Sequence, residues 1–277
     1  NIHKLPASDI DKKKFAGEIL FFKAFDYFNK VCLFGEVPWY DSTLNKDNPE
    51  LYKGRDSRDL VMTNILATIN KAIEFLPRKT KVYRVSRDAA LLLKARICLY
   101  EGTWRRYRNV EGDVKFLEEA YKASGELMGY GYELYKASGT DDSYFDLFIQ
   151  DNYNDNSEVI LSREYDPALN SIPNSEQGMS RDCFEEYLCA NTGKPISLCG
   201  CHNPNMGYNA EMKNRDGRLL QTVCLPESGS KYARFLYRTT GGLLKGGAPN
   251  IFSILPNSDT RTFYAASCTG YSVCKFY

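Results

Sequence analysis

Apolar side chains between Leu20 and Phe34 fall into two adjacent stripes, Leu20, Ala24, Tyr27, Val31 and Phe34 in one and Phe21, Phe25, Phe28 and Cys32 in the other. Steps of three and four keep each stripe on one side of a helix. A helix on a globular surface needs one stripe, so two side by side predict a helix sandwiched between two neighbours. A second helix is expected from about Ser57 to Leu76. Asp56 or Ser57 caps it, Val61, Ile65, Ile69, Ala72 and Leu76 form its buried side, and Pro77 closes it. A third starts at the Ser86 cap and carries Ala89, Ala90, Leu93, Ala95 and Ile97 towards Gly102. A fourth runs from about Asp113 to Met128, with Leu117, Tyr121, Ser124 and Met128 at helical spacing and Gly129 at its end.

From the second helix to the fourth, starts recur at roughly 27 to 30 residues, a period that suits stacked helical hairpins of tetratricopeptide type. After Tyr130 the pattern breaks up, and thirteen of the twenty glycines follow that point, with Asn-Pro, Gly-Gly and Asp-Asp breakers among them. The chain therefore reads as mainly α: a helical-hairpin scaffold over residues 1–130 and a loop-rich, ligand-binding portion with short strands over 131–277, packed as one structural unit. "EVILSREY" from Glu158 predicts a short buried strand, and "SRDCFEEYL" from Ser180 a short helix capped by Ser180 or Asp182.

Charge changes the picture by exclusion. Lys and Arg number 36 against 35 Asp and Glu, so the net charge of +1 supplies no field to draw nucleic acid or anionic lipid. "GTWRRYRN", Gly102 to Asn109, mixes rings with cations, but it is short and ends a helix, where cations are favoured anyway. Rings are abundant instead, at 13% of the chain, and 20 of them are Tyr, which tolerates half-wet surfaces. Trp39 and Tyr40, after Pro38, could form a sugar platform or close a core over the helix ends; packing is favoured.

Catalytic and metal chemistry find little support. Asp141/Asp142 and Glu185/Glu186 are neighbours in sequence, which on a helix diverge by about a hundred degrees rather than facing across a substrate. Phosphate-loop, dinucleotide and nucleophile-elbow motifs are missing, and two His offer few general bases. Seven of the nine cysteines fall between Cys183 and Cys274, including "CGCH" at Cys199 to His202. Cys-Gly-Cys is too tight for a paired zinc-finger spacing, so no metal site and no cofactor are expected, and the cysteines are free or disulfide-paired.

"EILFFKAFDYFNKVCLFGEVP", Glu18 to Pro38, resembles the hallmark of the SusD/RagB family: an acidic residue, a basic residue before Ala, a Tyr-Phe pair, then Phe-Gly-x-Val-Pro. "AALLLKARICLY", "EYLCANTGKPI", "NRDGRLLQTVCLP" and the final "TGYSVCKFY" are similar to family segments and follow in family order. Two departures are Gly217, where the family usually has Pro after Arg-Asp, and Cys274, where Arg before Lys-Phe is common.

The resemblance implies a glycan-binding lipoprotein of Bacteroidota-type bacteria, exposed at the cell surface on the outer membrane. It would work without catalysis in nutrient uptake (polysaccharide utilization), as the partner of a SusC-like TonB-dependent transporter. It further implies segments beyond both ends, including an N-terminal lipid anchor. A sugar ring has an apolar face and a rim of hydroxyls, so the binding residues should be rings beside amides. Tyr165, Asn170 and Asn174 in "SREYDPALNSIPNS" are the first choice, then Tyr153 and Tyr208 in "QDNYNDN" and "HNPNMGYN". An ordinary loop anchor is the competing role for each Tyr. The rival functions are a tetratricopeptide-like peptide or protein scaffold, a peptide-importing relative, and a helical glycoside hydrolase.

Overall fold

A computed structural model describes residues 6–79, 81–139, 141–150, 152–163, 179–201 and 211–223, together with the backbone of three short strands between 236 and 253. Four long helices dominate: α1 (Asp9–Phe34), α2 (Arg58–Phe75), α3 (Arg87–Tyr107) and α4 (Asp113–Met128). Shorter helices follow at Ser143–Asp146, Arg181–Glu185 and Gly217–Leu220. Strand β1 (Leu236–Thr239) pairs antiparallel with β2 (Gly242–Leu243) and parallel with β3 (Phe252–Ser253). Two compact units result: Asn1–Glu133 with Tyr153–Glu164, and Leu134–Asn152 with Tyr165–Tyr277. The mainly helical, tetratricopeptide-like reading with short strands late in the chain holds.

In the first unit the expected caps hold the helices. Ser57 Oγ accepts from Leu60 N and Ser86 Oγ from Ala89 N, each satisfying an amide that the first turn leaves orphaned. Val61, Ile65, Ile69, Ala72 and Leu76 are all buried, as are Ala89, Ala90, Leu93, Ala95 and Ile97. Helix α3 does not stop at Gly102 but continues to Tyr107. A Cβ on Gly102 would lie 2.6 Å from Leu117 Cγ, so this glycine lets α3 and α4 close on each other.

Two stripe assignments need correction. In α4 the buried positions are Phe116, Ala120, Ala123 and Leu127, while Tyr121 and Met128 point outward, 81% and 83% exposed. The true stripe lies one residue earlier, a rotation of about a hundred degrees, and puts small Ala120 and Ala123 where α3 approaches. Helix α1 is not sandwiched among the described residues: it packs along α2 and touches α3 little. It buries Gly17, Phe21, Ala24, Tyr27 and Val31, whereas Phe25 is 43% and Phe34 62% exposed. Ile19, Phe22 and Leu33 share that outer exposure. The contact that sets this face is Gly17, where a Cβ would lie 2.8 Å from Leu76 Cγ.

Trp39 packs, as favoured. It is buried against Tyr27, ring centroids 4.2 Å apart, and its Nε1 donates to Asp41 Oδ1 at 2.9 Å. Asp56 Oδ2 accepts from Trp39 N at 2.7 Å while Lys53 Nζ donates to Trp39 O at 2.6 Å. Lys53 holds the Asp56 carboxyl below its usual range, and Lys23 does the same for Asp41.

In the second unit the described residues include a core cluster of Phe184, Met212, Leu219 and Val223. Ser180 caps the short helix at Arg181, accepting from Cys183 N at 3.2 Å. Arg215, almost wholly buried, stacks over Phe184 and donates to the carbonyls of Phe184, Tyr187 and Glu211 at 2.6, 3.0 and 3.1 Å. Asp216 caps the helix that starts at Gly217, accepting from Arg218 N at 2.9 Å.

Candidate functional site

Of the five candidate ligand residues, Tyr165, Asn170, Asn174 and Tyr208 lie outside the described residues. Tyr153 is placed, and it works as an anchor of the first unit. Its amide donates to Tyr83 Oη at 2.7 Å, its carbonyl accepts from Asn156 N at 3.2 Å, and its half-buried ring has a phenol pushed up in pKa by burial.

What Tyr153 begins is a stem that leads to the first-choice loop. Asn156 is buried and its Oδ1 accepts from Glu158 N and Val159 N, closing a local turn. Glu133 N donates to Ser157 O at 3.3 Å, Lys79 Nζ to Val159 O at 2.5 Å, and Ser162 N to Val82 O at 2.9 Å. Ile160 adds an apolar contact with the helical core. Residues 158–163 therefore form no strand. Their hydrogen-bond partners are a lysine and the chain before α3, so the expected strand is replaced by an irregular stem tied down at four places.

The groups that hold the stem are themselves fixed by a buried carboxylate. Asp88, 1% exposed at the start of α3, accepts from Arg78 Nε at 2.9 Å and Tyr132 Oη at 2.8 Å. Arg78 stacks 3.3 Å from the Tyr130 ring centroid, and Lys79 sits 5.1 Å from that of Tyr132. Burial pushes the Lys79 ammonium down in pKa and the Tyr132 phenol up.

The Arg-rich end of α3 serves packing as well. Glu101, fully buried, accepts from Arg58 Nη2 at 2.6 Å and from Arg105 Nε at 2.7 Å; Arg105 also reaches Asp59. Arg58 lies 3.8 Å from the Trp104 ring centroid. Of the three arginines in the motif, Arg105 is committed to the buried carboxylate, while the exposed Arg106 pairs with Asp113 at 2.9 Å and the exposed Arg108 stacks 4.7 Å from the Trp104 centroid. Glu101, with both oxygens occupied, is unsuited to moving a proton.

Along α4 a shallow recess of about 510 Å³ is lined by Tyr121, Lys122, Ser124, Gly125, Glu126 and Met128. One helix supplies every wall, so it offers a ring without groups facing it from across a cleft.

Comparison with known proteins bears on this arrangement. Residues 1–99 match the SusD-like family model described as "Starch-binding associating with outer membrane". The fold is SusD-like. The fold agrees over 99% of the chain with a SusD-like protein from Bacteroides fragilis, at 20% identity and a TM-score of 0.67. It agrees over 79% with a SusD-like carbohydrate binding protein from the same species, at 20% identity and 0.59. It covers 52% and 41% of those two chains, so it spans about half the length of these relatives. No curated protein matches in sequence. Among the described residues no helix is long and apolar enough to cross a membrane.

Proposed function

We propose that the chain is the glycan-capturing part of a cell-surface, lipid-anchored SusD-like subunit. It binds an oligosaccharide without cleaving it and passes it to a TonB-dependent, SusC-like outer-membrane transporter. The observation that carries this reading is the SusD-like fold; residues 153–163, which directly precede the ring-and-amide segment in sequence, are fixed on the helical scaffold. Tyr165 is the platform ring, Asn170 and Asn174 supply amides for hydroxyls, and Tyr208 offers a second ring. Tyr153 positions the stem. A rigid support suits capture, because ordering a floppy loop on binding would subtract from a modest affinity.

The test is affinity electrophoresis and calorimetry of the protein against soluble starch first, then other neutral polysaccharides and a peptide panel. Retardation by a glycan, lost in Tyr165→Ala with the melting temperature unchanged, is the expected result. Tight binding of a peptide with no glycan retained would favour the peptide-binding scaffold, whose material is the exposed outer face of α1. Bond cleavage that depends on one carboxylate would point to a hydrolase.

A further inference from the structure

Three sulfurs meet in the second unit. The Sγ atoms of Cys189, Cys199 and Cys201 lie within 4.8 Å of one another, the first two buried and the third exposed. In sequence only the Cys-Gly-Cys pair is visible, too tight to suggest a site; Cys189 arrives from ten residues upstream.

The backbone holds Cys189 from both sides. Cys189 N donates to Lys194 O at 2.9 Å and Gly193 N to Cys189 O at 2.8 Å, closing a turn in which Gly193 takes φ of 65°. Its neighbours Ala190 N and Asp216 N bond to Asn214 O and Leu188 O at 2.8 and 2.9 Å, forming the bridge between Cys189 and Arg215. The 3-10 turn Ile196–Leu198 then returns the chain, with Cys199 N donating to Ile196 O at 3.0 Å. Thr192 Oγ1 lies 3.3 Å from Cys199 Sγ and donates to it. Two short turns thus aim three sulfurs at one point.

We propose that Cys189, Cys199 and Cys201 form a thiolate site for a borderline-soft divalent cation of the zinc type. A disulfide would use two of the three sulfurs, whereas one cation uses all of them. Sulfurs sharing a tetrahedral zinc at about 2.3 Å stand about 3.8 Å apart, so closing the group needs only small side-chain rotations. On binding, each of the three thiols releases its proton to solvent, the three sulfur lone pairs form the metal bonds, and nothing is oxidised or reduced. The exposed Cys201 side leaves the fourth position to water or another donor. Clipping residues 189–201 together, the ion would stabilise the turns that hold them. The site is independent of the glycan reading.

The test uses the reduced, metal-free 277-residue chain titrated with zinc against a chromogenic chelator, and with cobalt read optically. One equivalent should bind tightly, with a thiolate-to-cobalt charge-transfer band and the visible bands of a tetrahedral site. Cys201→Ser, at an exposed position, should weaken zinc by on the order of 100-fold while leaving the fold intact; Cys183→Ser should bind as the parent does. Three results would each overturn the proposal: no zinc competing with the chelator, binding undiminished in both Cys201→Ser and Cys189→Ser, or a disulfide joining two of the three in the isolated protein.

Discussion

The two units reach order by different physics. In the first, long helices bury continuous stripes, and the buried charges Asp88 and Glu101 sit where several donors meet them. In the second, the described core is small and much of the holding falls to single polar side chains. Arg215 clamps three carbonyls, and Gln221 Oε1 accepts from Phe145 N at 2.9 Å. An apolar stripe spreads its stabilisation over many contacts and tolerates trimming, whereas a clamp concentrates it in one residue.

Breaking the first unit should need an attack on its charges or its stripe. Glu101→Ala leaves Arg58 and Arg105 buried without their shared carboxylate, and should cost about 3–5 kcal/mol. Thermal melting with helical circular dichroism as the signal checks this, and the loss should include α2 and α3 together. Phe21→Ala, on the buried side of α1, should cost about 3 kcal/mol, while Phe25→Ala on its exposed side should cost under about 1 kcal/mol in this chain. Equal losses would mean that α1 is covered on both sides. In the second unit, Arg215→Met keeps apolar contact with Phe184 but deletes the donors, for about 2–3 kcal/mol. Hydrogen exchange should then speed up over residues 179–223 and stay unchanged over 61–105.

The smallest effect concerns acid. The Asp41 and Asp56 carboxyls that hold the Trp39 loop have folded pKa values below the ordinary carboxylate range. Their contribution is therefore complete above about pH 4, the ordinary value, and fades as pH falls through the lower folded values. Only two Trp are present, so in a Trp104→Phe background the fluorescence reports Trp39. It should shift to the red below about pH 4 before helicity is lost.

Helix positions, caps and the buried sides of α2 and α3 were legible because helical periodicity and capping are local. The facing of α1 and α4 was not, since each carries two adjacent stripes; in α4 the buried one is made of Phe116, Ala120, Ala123 and Leu127, whose small alanines read as less apolar than Leu117, Tyr121 and Met128 beside them. Val159, Ile160 and Leu161 looked like strand because strand-forming residues do not show whether a neighbouring strand exists; here Lys79 and Val82 supply the partners. The resemblance in Glu18 to Pro38 pointed to the family. The meeting of Cys189 with Cys199 and Cys201 depends on two turns and a bridge to Arg215, none of which sequence spacing reveals. For the glycan residues, Tyr153 alone is placed, and its amide is committed to Tyr83.

The proposal that most needs testing is that residues 164–178 contact carbohydrate while the helices of the first unit keep their structure. Hydrogen exchange with and without maltoheptaose, or an oligosaccharide of whichever glycan retards the protein, tests it most directly. Slowed exchange over 164–178, with α2 and α3 unaltered, is the predicted result. Protection confined to the helical faces, or none over 164–178, would contradict it.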